Sequence, residues 1–394
     1  MEFEEGYSFG VSGRVEPFEI RVSDEAINDL AARLRRTRWS PEVGNEDWRY
    51  GTSGKFLREF VDRWTAFDWR AQEKLINELP HFRVEVDDTP IHFMYKRGNG
   101  PAPMPLILSH GWPWSFWDWS SVIGPLSDPG AYGGDPADAF DVVVPSLPGF
   151  AFSTPLTERP VTVPWVAAVW NELMTGVLGY ERYGAAGGDW GEAITTQLTR
   201  VAPDRVAGIY LSTAPTTLLG GMQTLRADEY AEDEAGWYEH TQQMIRTVLS
   251  HGHVHVHDPQ TLAWALNDSP VGLAAWLLER RRNWSDCGGD VSSAYSMDFL
   301  LTTVSLYWFS NCFGSSARIY ADGAASLSEL SAYVDTPMGV GVYPHDIFLV
   351  PRSRVESAAN LVHWSVLPRG GHFAPSEQPQ LVVDELRSFF RPLR

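Results

Sequence analysis

Short, uninterrupted apolar runs that alternate with amphipathic stretches constrain the fold of this chain more than any other feature. Three such runs are residues 105–109 (PLILS), 141–145 (DVVVP) and 206–212 (VAGIYLS). Runs of this kind are typical of parallel strands that are covered on both faces. The stretches 164–180 and 191–201 lie between them and have helical periodicity. Strands that alternate with helices predict an α/β fold, with a mostly parallel, doubly wound sheet.

The same patterns divide the 394 residues into four segments. Residues 215–330 are rich in Trp and charged residues, are mostly helical in pattern, and interrupt the sheet in the way that a lid does. We therefore expect an N-terminal segment (1–90), the first part of the α/β core (91–214), a helical lid (215–330) and the second part of the core (331–394).

Both ends of the chain have assignable elements. Ser23 is a plausible N-cap for an amphipathic helix, since Asp, Asn, Ser and Thr accept hydrogen bonds from the first helical N–H groups. Near the other end, the apolar runs 346–351 (DIFLVP) and 362–367 (VHWSVL) predict strands, and 379–391 predicts a closing helix.

Composition excludes several classes of protein. The chain has 50 acidic residues against 31 Lys and Arg, a net charge of −19, which argues against a nucleic-acid partner. The only cysteines, Cys287 and Cys312, cannot form a disulfide scaffold. The first ten residues have no basic or apolar region typical of a signal peptide, and no run is long enough to span a membrane. We expect a cytoplasmic protein with no membrane partner.

The segment Gly187-Gly188-Asp189-Trp190-Gly191 lies between an apolar stretch and a predicted helix. Flanking glycines allow the sharp strand-to-helix turn that exposes the nucleophile in G-x-S-x-G enzymes. Asp189 holds the central position, and no G-x-S-x-G segment occurs elsewhere. A carboxylate there is suited to attack an sp³ carbon and to form an alkyl ester that water then cleaves. The alternative is a glycine turn in which Asp189 caps the next helix.

The segment His110-Gly111-Trp112-Pro113 directly follows the strand at 105–109. In α/β-hydrolases the loop at this place supplies one N–H group of the oxyanion hole, and the residue after the nucleophile supplies the other. The backbone N–H groups of Trp112 and Trp190 are therefore the candidate oxyanion hole. An ordinary turn is the alternative.

A general base is expected on a loop after a strand near the end of the chain. Gly370-Gly371-His372-Phe373 follows the predicted strand 362–367, and Asp346, at the start of the preceding predicted strand, is the natural carboxylate to orient His372. The chain order Asp189, Asp346, His372 is the nucleophile, acid and base order of α/β-hydrolases.

Taken together, these motifs resemble the microsomal type of epoxide hydrolase, a family with the α/β-hydrolase fold, a helical lid and an N-terminal meander. The resemblance covers nearly the whole chain. It implies Asp189 as nucleophile, His372 as base and Asp346 as its partner, with an epoxide and water as substrates and no cofactor or metal. Soluble relatives are commonly homodimers. Further segments that carry the resemblance are Asp68-Trp69-Arg70-Ala71-Gln72, Leu79-Pro80-His81-Phe82, Pro145-Ser146-Leu147-Pro148-Gly149-Phe150 and Asn267-Asp268-Ser269-Pro270-Val271-Gly272-Leu273.

The family also uses two lid tyrosines as acids on the leaving oxygen. Tyr320 matches one of them, but the other position is His251. This difference leaves three alternatives: Tyr320 is the only acid, His251 substitutes for the second tyrosine, or the activity is altered. The resemblance of residues 284–290 to actinomycete natural-product enzymes, including those of enediyne antibiotics, is looser and implies a role in antibiotic biosynthesis.

His251, His253, His255 and His257 alternate, which in an extended segment would place the imidazoles on one face, as in a metallohydrolase. A solvated loop and contact of His251 with the cavity are the other interpretations. The leading function is the hydrolysis of a bulky hydrophobic epoxide to a vicinal diol. The alternatives are a haloalkane dehalogenase-like enzyme that uses Asp189 and Trp190, and a catalytically silent binding protein.

Overall fold

A nine-stranded β-sheet is the frame of the protein, and its spatial order is β1-β2-β3-β5-β4-β6-β7-β8-β9. The computed structural model describes residues 15–221, 224–324 and 333–394. The pairs β1/β2, β2/β3 and β3/β5 are antiparallel, and all other pairs are parallel. The strands are β1 Glu16–Phe18, β2 His81–Val86, β3 Thr89–Lys96, β4 Met104–Ser109, β5 Phe140–Pro145, β6 Tyr183–Gly187, β7 Val206–Leu211, β8 Val334–Val342 and β9 Ala359–Val366.

Helices follow most of the parallel strands, which makes the sheet doubly wound. The helices are α1 Asp24–Arg35, α2 Gly54–Thr65, α3 Trp69–Ile76, α4 Ser120–Ser127, α5 Val163–Glu172, α6 Trp190–Val201, α7 Trp237–Thr247, α8 Ser250–His257, α9 Pro259–Leu266, α10 Pro270–Trp284, α11 Met297–Phe309, α12 Phe313–Gly323, α13 Arg352–Ala358, α14 Ala374–Glu377 and α15 Pro379–Phe390. Six of them, α7 to α12, lie in the chain between β7 and β8.

The N-terminal helices pack on the helices that follow β7. Ser23 caps α1 by accepting a hydrogen bond from the N–H of Ala26 at 3.1 Å, as its sequence predicts. Trp64, on the buried face of α2, donates its indole N–H to Ser305 of α11 at 2.8 Å. The N-terminal segment therefore supports the helical segment as well as the sheet.

The central strands β6 and β7 are buried on both faces. Every residue of β6 and β7 is buried. The small residues of β6 escaped prediction as a strand, and a Cβ on Gly184 would collide with Phe390 of α15. Close packing of a helix on the sheet therefore favours glycine there over the β-branched residues that mark strands in a sequence.

The strand predicted at 346–351 is wrong. The strand of this part of the core is β8, and residues 346–351 form an irregular segment after it. Ile347, Leu349 and Val350 are apolar because they are buried, at 2–4% exposure, and not because they are in a sheet. Strand β8 was not predicted from the sequence because it contains Gly339 and Gly341, and glycine is uncommon in strands. Glycine is needed at both positions because a Cβ would collide with the aromatic rings of Phe389 and Tyr210. Asp346 consequently lies beyond the carboxyl end of a strand, not at the head of one.

Residues 250–257 form α8, which is neither the extended segment that a metal site would need nor a solvated loop. Helical spacing places residues four apart on the same face. His251 and His255 are buried, whereas His253 and His257 are exposed. The alternation therefore does not gather four imidazoles on one face.

Candidate active site

Asp189 lies at the junction of β6 and α6 with the backbone of a strained turn, φ 55° and ψ −128°. A positive φ is rare for a residue with a side chain and often marks a functional site. The flanking glycines are required by close approach, since a Cβ on Gly187 would lie within 3.0 Å of the backbone of Gly191, and one on Gly191 would lie within 3.0 Å of that of Ser109. The N–H of Asp189 donates to the hydroxyl of Thr213 at 2.9 Å. The local sequence thus exposes a carboxylate at the carboxyl end of the sheet.

The loop after β4 holds one oxygen of this carboxylate. The backbone N–H of Trp112 donates to Oδ1 of Asp189 at 2.7 Å. His110 braces the loop, because its Nε2 accepts from the N–H of Leu147 at 3.1 Å while its Nδ1 contacts the carbonyl of Gly111 at 2.9 Å. Burial lowers the pKa of His110 to about 4, so its imidazole is neutral. Trp190 begins α6, and its backbone N–H has no hydrogen-bond partner within the described ranges.

His372 bridges the two carboxylates that the sequence nominates. Its Nε2 lies 3.1 Å from Oδ2 of Asp189, and its Nδ1 lies 2.7 Å from Oδ1 of Asp346. The loop is held by Glu377, which accepts hydrogen bonds from the N–H groups of Gly371 and Phe373 at 3.0 and 2.8 Å. The structure therefore brings together Asp189, Asp346 and His372 from three separate segments of the chain.

Tyr320 and His251 come from two helices, α12 and α8, and line the same cavity as Asp189. The Nε2 atom of His251 is 3.1 Å from the phenolic oxygen of Tyr320. Both side chains are buried, at 4% and 9% exposure. Trp112 stacks on His251 at 5.3 Å with an interplanar angle of 10°, and the ring of Trp190 contacts Tyr320 edge to face at 5.0 Å.

The chain is similar to known proteins along its whole length. A model of the epoxide hydrolase N terminus matches residues 15–119, and a model of the alpha/beta hydrolase fold matches residues 104–243. Epoxide hydrolase 1 of Oryctolagus cuniculus is 32% identical over 402 residues, which cover 95% of this chain and 88% of that protein. A protein of Stigmatella aurantiaca (strain DW4/3-1), provisionally named as an epoxide hydrolase, is 38% identical over 392 residues, or 96% of this chain and 86% of that one. The chain belongs to the epoxide hydrolase family. It is an enzyme that hydrolyses epoxides.

Solved structures agree with this family. The structure of Aspergillus niger epoxide hydrolase matches with a TM-score of 0.85 at 27% identity and covers 98% of both chains. Juvenile hormone epoxide hydrolase from the silkworm Bombyx mori matches with a TM-score of 0.86 at 25% identity, over 97% of this chain and 95% of that one. These matches confirm the α/β-hydrolase fold predicted from the sequence.

The charges in this epoxide hydrolase set the protonation of its site. Burial alone lowers the pKa of His372, but the carboxylates of Asp346 and Asp189 outweigh burial and raise it to about 9. Burial, and then the charge of Asp189, hold the pKa of Tyr320 well above its usual value. Burial, together with the nearby Arg280, holds the pKa of His251 well below its usual value. At neutral pH the site therefore has a protonated His372, a phenol at Tyr320 and a neutral imidazole at His251.

A cavity of about 230 Å³ opens between the carboxyl end of the sheet and the helices above it. The sequence-predicted residues Asp189, Trp190, His251, Tyr320 and His372 all line it. Sequence analysis missed the rest of its lining. These residues are Glu192, Ala193, Thr213, Ala214, Thr216, Thr217, Leu249, Gly252, Trp284, Ile347 and Phe348. Only Glu192 had a detectable signal, since it lies one helical turn after the nucleophile position.

A buried ion pair joins the helical segment to the loop of Trp112. Arg281 of α10 and Asp118 are both fully buried, and their Nη1 and Oδ1 atoms are 2.6 Å apart. Arg281 Nη2 also donates to the carbonyl of Pro113 at 3.4 Å, and its guanidinium lies 3.9 Å from the ring centre of Phe373. This contact ties the loop that holds Asp189 to the loop that carries His372.

No group of three or more His, Cys, Asp or Glu side chains in the described ranges is placed to hold a metal ion. The helical form of residues 250–257 is the reason that the histidine run does not make one. Across residues 15–221, 224–324 and 333–394, none of the helices is long and apolar enough to cross a membrane.

Proposed function

We propose that the enzyme opens an epoxide through a covalent ester of Asp189. The observation that carries this proposal is the position of the carboxylate, with Oδ1 held by the N–H of Trp112 at 2.7 Å and Oδ2 beside His372 at 3.1 Å. A carboxylate that is oriented by two donors and lines a cavity is suited to attack an epoxide carbon in line with the breaking C–O bond.

Tyr320 is the acid for ring opening. As the C–O bond breaks, the epoxide oxygen gains negative charge, and the phenol O–H of Tyr320 donates a proton to it. Its raised pKa keeps Tyr320 protonated in the resting enzyme. The phenolate that forms must be stabilised until it regains a proton.

His251 takes the place of the second lid tyrosine. Because its imidazole is neutral, Nε2 can carry a hydrogen and donate it to the oxygen of Tyr320 at 3.1 Å. This donor stabilises the phenolate as the proton leaves. His251 also lines the cavity, so it can donate directly to an epoxide oxygen. The helices α7 to α12 act as the lid that excludes water from this step.

Hydrolysis of the ester uses His372 as base. Esterification removes the negative charge of Asp189, one of the two charges that raise the pKa of His372, so the imidazolium gives up its proton, which returns to the phenolate of Tyr320. The neutral imidazole then accepts a proton from water. The resulting hydroxide attacks the ester carbonyl, whose oxygen, Oδ1, receives the N–H groups of Trp112 and Trp190. Collapse of this intermediate releases the vicinal diol. The leaving alkoxide takes the proton that His372 accepted from water, and the second proton of that water passes from the regenerated carboxyl group of Asp189 to His372, which restores the resting enzyme.

The cavity favours a compact epoxide. Ligand pockets for drug-sized molecules start at about 300 Å³, whereas this cavity has about 230 Å³. A bulky hydrophobic epoxide, as the sequence suggested, would need the lid to open further. A role in antibiotic biosynthesis stays a prediction.

A single-turnover reaction in ¹⁸O-water tests the covalent route. With enzyme in excess over an aryl epoxide, one ¹⁸O atom is expected in the carboxylate of Asp189, read by mass spectrometry of the peptide that contains it. The diol of that first turnover should hold no label. Label found only in the diol would instead mean direct attack by water. Asp189→Asn, tested first in the same assay, should form no diol.

A further inference from the structure

One wall of the cavity is polar, and the proposed mechanism does not use it. Glu192, on the first turn of α6, lines the cavity together with Thr213, Thr216 and Thr217, which follow β7. Glu192 is only 2% exposed. Much of the remaining lining is aliphatic or aromatic, so this wall is where a polar group of a substrate would be recognised.

The hydrogen bonds of Glu192 define which oxygen can carry a proton. The hydroxyl of Thr217 donates to Oε1 of Glu192 at 2.8 Å, and the hydroxyl of Thr196 donates to the same oxygen at 3.4 Å. The backbone N–H of Thr217 is a further donor to this carboxyl group. Because Oε1 already accepts two hydroxyl hydrogen bonds, Oε2 is the oxygen to which we assign the hydrogen of the carboxylic acid.

Nothing around Glu192 favours its anion strongly enough to offset burial. Within the described part of the chain, Glu192 has no salt bridge to a Lys, Arg or His. Burial, with a smaller contribution from the charge of Asp189, raises the pKa of Glu192 to about 8, although the hydroxyls of Thr217 and Thr196 and the backbone N–H of Thr217 act in the opposite direction. At neutral pH the side chain is mostly a carboxylic acid, which is a hydrogen-bond donor.

We propose that Glu192 is a specificity-determining residue that presents a carboxylic O–H to a hydrogen-bond acceptor on the substrate. The preferred substrates are then epoxides that carry a carbonyl or similar oxygen a few bonds from the ring, rather than hydrocarbon epoxides. This inference rests on the proposed function, because it assumes that the epoxide binds between Asp189 and Tyr320. Glu192 takes no part in the bond-making steps.

A matched pair of substrates tests the inference. One is a straight-chain terminal epoxyketone, and the other is the terminal epoxyalkane of the same chain length. The wild-type enzyme should prefer the epoxyketone in kcat/KM. Glu192→Leu should lower kcat/KM for the epoxyketone about fivefold to tenfold, the effect of one lost hydrogen bond, and change that for the epoxyalkane by less than about twofold. Glu192→Gln keeps a donor and should keep the preference.

The pH dependence gives a second measurement if Glu192→Leu does not fold. The preference of the wild-type enzyme should fall as pH rises through about 8, since the ionised carboxylate no longer donates. The preference of Glu192→Gln should not fall. The titratable groups that share the cavity, Asp189, His251, Tyr320 and His372, are present in both enzymes, so the difference between the two profiles belongs to Glu192.

The outcomes separate this inference from the proposed function. Equal losses for both substrates in Glu192→Leu, or identical pH profiles for wild type and Glu192→Gln, would overturn the role of Glu192 while epoxide turnover remains. If the wild-type enzyme opens neither epoxide and takes no label at Asp189, the proposed mechanism fails and the inference fails with it.

Discussion

The Nε2 atom of His251 lies 3.1 Å from the phenolic oxygen of Tyr320, and the two rings are perpendicular, with centroids 5.3 Å apart. The indole of Trp112 stacks on the imidazole of His251 and limits its movement. Trp112 also gives its backbone N–H to Asp189. Trp112 therefore contacts both Asp189, the proposed nucleophile, and His251, which in turn contacts Tyr320, the proposed acid.

Replacing His251 should slow ring opening by less than replacing Tyr320. Tyr320→Phe removes the acid, and we expect a loss in kcat/KM of about 10²-fold or more. His251→Phe removes only a hydrogen bond to the phenolate, so we expect a loss of about tenfold. Steady-state kinetics with an aryl epoxide measures both effects. His251→Tyr serves as the control and should retain most activity, since it restores a donor. A larger loss in His251→Phe than in Tyr320→Phe would make His251 the principal acid.

Asp189→Asn should lower the pKa of His372 from about 9. The wild-type imidazolium is favoured by two carboxylates, and the variant loses one of them, so less alkaline pH is needed to deprotonate the ring. NMR titration of the imidazole signals measures the shift directly. Asp384→Asn, on the exposed face of α15, is the matched control and should leave the pKa unchanged. If the pKa of His372 is unchanged in Asp189→Asn, the charge of Asp189 does not act on His372.

His372→Gln should trap the ester. Alkylation needs only Asp189 and Tyr320, whereas hydrolysis needs the base, so the second step should slow by about 10²-fold to 10⁴-fold. Intact-protein mass spectrometry after mixing with an epoxide should show the enzyme heavier by the mass of one substrate. The adduct should be absent in the double variant that also carries Asp189→Asn. Diol release at the wild-type rate from His372→Gln would contradict the role of the base.

Gly111→Ala should abolish activity by displacing the nucleophile. A Cβ at this position would collide with Oδ1, Cβ and Cγ of Asp189. We expect kcat to fall by about 10²-fold or more, because small displacements of reacting groups have effects of this size. Gly130→Ala is the control, since its Cβ would meet only ordinary contacts at 3.5 Å or more. Activity within about twofold of wild type in Gly111→Ala would show that the carboxylate can be placed without this close approach.

The local motifs were sufficient to predict that Asp189, Asp346 and His372 come together. The glycines around Asp189, the glycine loop of His372 and their order in the chain are properties of short segments, and the turns they make depend on backbone geometry that neighbouring residues determine. Prediction failed where a residue's environment came from distant segments. The run 346–351 is apolar because it is buried, and β8 is glycine-rich because Phe389 and Tyr210 lie against it.

Short sequence motifs were enough to predict the class of the enzyme, the sharp turn at Asp189, and Asp346 and His372 as its candidate partners. Packing between distant segments is what brings His251 to Tyr320, 69 residues away, leaves His253 and His257 exposed, and places Glu192 in the cavity wall. The physical reason is that protonation depends on burial and on nearby charge. Both arise from the packing of α8 and α12 over the sheet, which no local pattern of residues encodes.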